Sequence, residues 1–432
     1  MATTLHPLSG RAAIQSPGDR DVCGGPLPEG SPSHAKRFAT EAFHQAYRYS
    51  ACGSAGEKRA LKRLQDSTKA WGDRIRRSKP YGTREEDPLT RTVVLKAPGE
   101  QGEKGVLLTS FEYNWLRLLR TRQAWKSISE RFDIVLSTSS SPTCYDLLGM
   151  ALEQTPGDPV YVMSCRYEEM PKLEAFDPRV RCLPMLPCDW LEPSFCQPKP
   201  HRERSIDILM VAGWNPVKRH WHFFEALREL PRSTTIVLVG QPEGKYDQDW
   251  LQSLALAHGV RQDLEILESI SIDEVTKLQC NSRISVVFSR REGCCVAVAE
   301  SFMANTPVGL VANASMSPAS YINPETGRFL SLQRTGSNLR ALLEESDSFS
   351  PRKWAVDRIS NHASATRLNR FLEEEATRRS LPWTRPITTP CWRPHPTLEF
   401  ADRTEDIEQC MKELHDQFPE LFPADLFRKS RK

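Results

Sequence analysis

The sequence predicts an α/β protein built of two doubly wound parallel-sheet domains facing a cleft. Three observations carry this. From about residue 90, short β-branched strands alternate with helices, the pattern of parallel sheets with covering helices. A second and cleaner run of the same kind begins after the Pro-rich stretch Pro193–Pro200. In both runs the strands close on small or polar residues, as expected where open α/β sheets present ligands at strand C-terminal ends. A length of 432 residues, 39% hydrophobic and 26% charged, suits two or three soluble, well-cored domains.

Residues 1–35 are rich in Gly, Pro, Ser and Ala without periodicity and are expected to be a disordered tail. Residues 36–89 form a basic helical region, with Lys58, Arg59, Lys62, Arg63, Lys69, Arg74, Arg76 and Arg77 clustered. Such a cluster is ordinarily a solvated helix face; docking on an anionic membrane surface is the alternative for 36–79. In the first run, Thr92–Leu95, Gly105–Thr109, Phe132–Ser137 and Val160–Ser164 read as strands, and Trp115–Glu130 and Tyr145–Glu153 as helices. In the second, the expected strands are Ile206–Val211, Thr235–Val239, Leu264–Leu267, Ile284–Phe288 and Pro307–Val311. The intervening helices are Arg219–Leu230, Gln248–His258, Ile272–Gln279 and Val296–Ala304, the third opened by a capping box of Ser271 and Glu274. After residue 345 the pattern is helical to about Arg379. The irregular stretch Pro382–Pro396 follows, then a helix over Thr404–Gln417. The expected boundaries are therefore 90–200 and 201–380 for the two domains, and 381–432 for a linker and a helix that packs back on the first.

A net charge of +3 gives no reason to expect nucleic acid, and there is no apolar run of the length a membrane helix needs. The N-terminus lacks the layout of a secretory signal, so the expected location is cytoplasmic, peripheral on the inner membrane face if the basic region docks. Twelve cysteines are scattered without a Cys-x-x-Cys pair, and the loose group Cys182, Cys188 and Cys196 lacks zinc spacing. Free thiols in a reducing compartment are expected, with no metal and no cofactor.

The informative segment is Ser289-Arg-Arg-Glu292-Gly293-Cys294-Cys295, followed by a helix carrying Glu300 and then Ala304-Asn305-Thr306-Pro307-Val308. A strand, a Gly turn and a helix start offer unpaired amides and a positive dipole end to a phosphate. Gly293 would let the backbone approach that anion closely. Carboxylates beside such a site accept hydrogen bonds from sugar or ribose hydroxyls. Upstream, Val211-Ala212-Gly213-Trp214-Asn215-Pro216-Val217-Lys218-Arg219-His220 follows the first strand of the second run.

These two segments resemble the Glu-x7-Glu motif and the Arg-x-x-Pro-x-Lys-x-His loop of the "group 1" retaining glycosyltransferases. That resemblance implies the GT-B fold, two Rossmann-like domains across a cleft. Val180–Pro198 and Asn323–Arg328 resemble the family's interdomain segment and its late Thr-Gly turn, so the likeness covers about Val180–Leu330. By it, Glu292 contacts hydroxyls of the transferred sugar and Glu300 holds the ribose. Lys218 and Glu292 stand as the catalytic candidates; Glu300, Gly213, Arg219, Gly293, Cys294 and Cys295 stand as donor-binding candidates. The two thiols are expected to offer backbone amides rather than sulfur chemistry. Asn305 replaces the family's Gly as the next best residue at positive φ.

Departures are plain: Trp214 stands where the family has Arg, Asn-Gly is missing from the interdomain segment, and no His occupies the expected place in the first domain. Glu112 and Arg166, at strand ends facing the cleft, are the candidate acceptor-side residues. Asp19-Arg20-Asp21 resembles the Asp-x-Asp motif of another glycosyltransferase fold, but no strand precedes it, so it reads as a decoy. The expected activity is metal-independent transfer of a sugar from a nucleotide-diphosphate sugar to an acceptor hydroxyl, with retention. The alternative is a degenerate nucleotide-sugar-binding relative without transfer.

Overall fold

The computed structural model describes residues 44–51, 54–77, 88–391, 397–398 and 404–424. The expected tail, Asp19-Arg20-Asp21 and part of Pro382–Pro396 lie outside them. The first sheet contains β1 (Thr92–Lys96), β2 (Gly105–Ser110), β3 (Phe132–Ser137), β4 (Val160–Met163) and β5 (Val180–Cys182), side by side in chain order. Only β1 runs antiparallel to its neighbour; the others are parallel. The second sheet is parallel throughout: β6 (Ile206–Val211), β7 (Ile236–Gly240), β8 (Leu264–Glu268), β9 (Ser282–Val287), β10 (Val308–Val311) and β11 (Gly327–Leu330). Its order is β11-β10-β9-β6-β7-β8. The chain winds outward from β6, then returns to its other side at β9, which makes the boundary between β6 and β9 a switch point. Two Rossmann-like domains facing a cleft form the GT-B arrangement that the sequence predicts.

Helices cover both faces of the first sheet, but from different parts of the chain. The crossover helices Glu112–Arg120, Arg122–Arg131, Tyr145–Gln154 and Met170–Phe176 all contribute to one core, joined by Leu64 of helix Ser54–Arg77 and by Leu414 of helix Thr404–Gln417. The basic helical region thus completes the first domain, and Lys58, Arg59, Lys62 and Arg63 stay exposed on its outer side. The opposite face, with Val93, Leu95, Leu108 and Tyr161, packs on Leu368 and Leu372 of helix Asn361–Arg378. The chain therefore returns to the first domain at Ser360–Asn361, ahead of the expected 380/381 boundary. There it meets the outgoing segment: Asn361 N donates to Leu191 O at 2.9 Å, and its side-chain amide to Glu192 at 2.6 Å.

Three further differences have physical reasons. The single helix expected over Trp115–Glu130 is two helices, broken at Thr121. Trp115 and Trp125 are both fully buried in one core. On a straight helix, residues ten apart point about 80° away from each other, and the break corrects this. The short edge strands β5 and β11 escaped the sequence reading because three or four residues carry no clear period. The second-run helix expected from Arg219 begins at His220, because Arg219 is left-handed (φ 56°). Asn305 does adopt positive φ, at 57°, and the capping box of Ser271 and Glu274 forms.

Candidate functional site

Adjacent strands at the switch point bring the two main candidates together. Lys218 follows β6 and Glu292 follows β9, which are paired in parallel from Ile206–Ser282 onward. Lys218 sits in a short 3-10 turn begun by Asn215, whose side chain accepts from Val217 N at 3.1 Å. Its Nζ lies 2.9 Å from Glu292 Oε1, both side chains mostly buried. They border a pocket of about 320 Å3 that Gly213, Ser289, Cys295 and Ala297 also line. Ser269, left-handed at φ 52°, and Ile270 close it from the end of β8.

The Glu292 turn is fixed by main-chain bonds to a neighbouring loop. Glu292 N donates to Ser315 O at 3.1 Å, Ser317 N to Gly293 O at 2.9 Å, and Ser315 N to Arg290 O at 2.8 Å. Helix Val296–Met303 then starts from Cys295, left-handed at φ 40°, with no side chain capping it. A helix start leaves its leading amides without intrahelical carbonyl partners, the condition an anion site needs; here Val298 N turns back to Cys295 O at 3.2 Å. Burial and the Glu292 carboxylate beside it push the Cys295 thiol well above its ordinary range. Cys294 is raised likewise, by its contact with Cys165 and by burial. Both sulfurs are neutral, and the backbone is what this turn offers.

Several candidates are placed differently from the sequence reading. Gly293 is outside the pocket lining, and a Cβ there would fall 1.7 Å from Ser139 O of the first domain. Glycine is needed because two domains touch main chain to main chain. Arg219 is outside the pocket lining, its guanidinium 5.3 Å from the Trp221 ring centroid. Trp214 turns into the second core and is fully buried, so the position where the family has Arg supplies no charge to the pocket. Gly240 accommodates it, since a Cβ there would meet Ala212 O at 2.3 Å and Trp214 Nε1 at 2.4 Å. His220, buried and beside Lys218, is held to a pKa of about 4 chiefly by burial, and is neutral.

Glu300 and Cys294 line a neighbouring interdomain cavity of about 350 Å3, which shares Ile272 and Val296 with the first pocket. Both acceptor-side candidates are engaged. Glu112 accepts from Ser139 N at 2.9 Å, Ser140 N at 3.1 Å and Ser140 Oγ at 2.8 Å, and also from Ser139 Oγ. Arg166 donates across the domains to Ser315 Oγ. Each is a fastener rather than a free cleft group. Further bonds join the domains here: Ser317 Oγ to Cys165 O at 2.6 Å, Arg291 Nε to Ser141 O at 3.1 Å, and Cys294 Sγ to Thr138 O at 3.4 Å.

Sequence reasoning did not foresee the position of Asp189, buried where the two domains meet. It is fully buried, accepts from Leu186 N at 3.1 Å and from Tyr321 OH of the second domain, and has Arg367 4.0 Å away. Burial raises it to a pKa of about 6. A lone Asp in an apolar run between two domains was the available signal. Cys182 belongs to the first core and Cys188 and Cys196 to another, so the three do not converge. Among the described residues, no three His, Cys, Asp or Glu side chains are grouped to hold a metal, and no helix is long and apolar enough to cross a membrane.

Residues 194–345 match the family described as glycosyl transferases group 1, a span that contains Lys218, Glu292 and Glu300. No curated protein sequence matches the chain. Among solved structures it is similar to Anabaena HepE in complex with UDP, at 13% identity, 62% of this chain, 78% of that chain and a TM-score of 0.48. It is similar also to sucrose-phosphate synthase of Thermosynechococcus elongatus, at 13% identity, with coverages of 76% and 81% and a TM-score of 0.47. A third is the GtfA/B complex, at 12% identity and a TM-score of 0.45, where 58% of this chain spans only 55% of that one.

Proposed function

We propose that the chain transfers a sugar from a nucleotide-diphosphate sugar to an acceptor hydroxyl, with retention of configuration and without a divalent metal. The observation that carries this reading is the meeting of Lys218 and Glu292 at the switch point, beside the uncapped start of helix Val296–Met303. In this reading the donor diphosphate takes over Lys218 Nζ and the helix amides. Glu292 is thereby released to accept hydrogen bonds from the sugar, and Glu300 accepts from the ribose. The bond from the anomeric carbon to the phosphate oxygen breaks, and negative charge grows on the leaving phosphate. Lys218 and the amides hold that charge more strongly in the transition state than in the ground state. The acceptor oxygen attacks the same face of the sugar, and the departing phosphate takes its proton, so no protein base is needed.

Buried Trp214 favours a second reading, a nucleotide-sugar-binding protein that has lost transfer. Calorimetry separates the two when UDP, GDP and ADP are titrated without metal into the wild type, Lys218→Ala and Glu300→Ala. One nucleotide should bind, weakened by about 1–3 kcal/mol in both variants. Its sugar conjugates, incubated with the wild type, should then release that nucleotide. Binding without any release supports the second reading. A folded wild type that binds no nucleotide refutes both.

A further inference from the structure

Two thiols from different domains meet beside the Glu292 turn. Cys165 follows β4 in the first domain, Cys294 precedes helix Val296–Met303 in the second, and their sulfurs lie 3.6 Å apart. Both cysteines are free. Both thiols aim at one acceptor, the Thr138 carbonyl, Cys165 Sγ at 3.6 Å and Cys294 Sγ at 3.4 Å. The main chain on each side is held by the same residue: Ser317 Oγ donates to Cys165 O at 2.6 Å, and Ser317 N to Gly293 O at 2.9 Å. The contact between the domains therefore positions the pair. A disulfide bond is about 2.0 Å long, so each sulfur has less than about 1 Å to travel. Cys165 is fully buried, but Cys294 is half-buried and lines the interdomain cavity of about 350 Å3. A small oxidant entering that cavity meets Cys294 first.

We propose that Cys165 and Cys294 are an oxidation site, at which a hydroperoxide such as hydrogen peroxide joins the two domains by a disulfide. The Cys294 sulfur attacks the peroxide, the O–O bond breaks, and a sulfenic acid and one water form. The Cys165 sulfur then displaces the sulfenic hydroxyl as a second water, and the S–S bond closes. Two thiols lose two hydrogens, and the peroxide is reduced to two waters. The Cys294 thiol sits well above its ordinary range, through its contact with Cys165 and through burial, so little of it is the reactive thiolate. The pair accordingly rests reduced and closes when oxidant accumulates. The other thiols nearby are engaged elsewhere: Cys188 Sγ donates to Asp189 Oδ1 at 3.8 Å, and Cys295 is engaged with Glu292. The new bond ties positions 129 residues apart and pins the Glu292 turn to the first domain. Nothing in it depends on the transferase reading.

The full chain is treated with hydrogen peroxide, its remaining thiols are alkylated, and the unreduced digest is read by mass spectrometry. The wild type should yield a Cys165–Cys294 cross-linked peptide, two hydrogens lighter than its parts and released by dithiothreitol. Its melting temperature without reductant should rise by roughly 5 °C or more, because the bond restrains a long loop of the unfolded chain. Cys165→Ser should lose both effects and leave Cys294 oxidised beyond the sulfenic acid, whereas Cys295→Ser should keep both. Oxidation of Cys294 without that cross-link in the wild type overturns the proposal. So does a disulfide from Cys294 to Cys188 or Cys295 in its place, or oxidation of other thiols that leaves both sulfurs free for alkylation. A Cys165–Cys294 bond that forms only after unfolding in urea overturns it too, since the folded contact would then not be what brings the sulfurs together. Each outcome is read whether or not a nucleotide binds.

Discussion

Replacing Gly293 with alanine tests whether the two domains are meant to touch at the Glu292 turn. The added Cβ would stand 1.7 Å from Ser139 O, where ordinary contact begins at 3.4 Å, so something must move by about half that distance. Neither side yields cheaply. The obstacle is a main-chain carbonyl, and its loop is held by the four bonds to Glu112. The Glu292 turn is itself pinned to Ser315 and Ser317. Breaking one or two charge-assisted bonds costs about 2–4 kcal/mol, and parting the domains gives up the Arg166–Ser315, Ser317–Cys165 and Arg291–Ser141 contacts instead. The variant should keep its helix content but lose roughly 30-fold or more in the proposed sugar transfer, at about 1.4 kcal/mol per factor of ten. Small-angle scattering should show a larger radius of gyration. Ser139→Gly should not rescue it, because the clash is with backbone. A variant with wild-type compactness and activity would refute the reasoning.

Other perturbations follow from the buried charges and the tight glycines. Lys96 and Glu103 pair at 2.7 Å with almost no exposure. Lys96→Met alone should cost about 3–5 kcal/mol in urea denaturation by leaving the buried Glu103 carboxylate without its counter-charge, held only by Thr384, and Lys96→Met with Glu103→Leu should recover most of it. Asp189, raised to a pKa of about 6, is favoured as the neutral acid in the folded state. The folded chain then binds more protons than the unfolded one between about pH 4 and 6, so this group's effect is a loss of stability as pH rises through that window. Asp189→Asn should flatten that slope in melting temperatures taken from pH 4 to 7; an unchanged slope would place its cause elsewhere. Gly149→Ala should cost about 1–3 kcal/mol by overpacking, since its Cβ would meet Thr68 Cγ2 at 2.5 Å. Thr68→Ala should restore the melting temperature, the obstacle being a side chain.

The second domain was readable because its strands are apolar on both faces and its helices carry their own punctuation, such as Ser271 with Glu274. Lys218 and Glu292 were legible from loop spacing, and the strand order explains their contact: the strands before them are neighbours although β7, β8 and their helices separate them in sequence. Roles that depend on a second surface were not legible. Gly293 looked like a turn residue next to an anion, because only the folded chain brings Ser139 against it. Glu112 and Arg166 sit where cleft residues should, and no local pattern shows that a serine loop and Ser315 already occupy them. Trp214 could be seen to replace an arginine, but its burial against Gly240 depends on the distant end of β7.

The helix over Asn361–Arg378 sets a timetable for the chain's birth at the ribosome. The first sheet is written early, yet one of its faces stays bare until a segment some 200 residues later has been translated. In the interval Val93, Leu95, Leu108 and Tyr161 present a sticky plane to solvent or to a chaperone, and the second domain is free to mature alone. A nascent chain halted near residue 200 should therefore recruit holdases and resist native-like protection from proteases. The released chain, with helix Asn361–Arg378 and helix Thr404–Gln417 both in place, should lose both traits together. The order in which this protein is read thus differs from the order in which it can be finished.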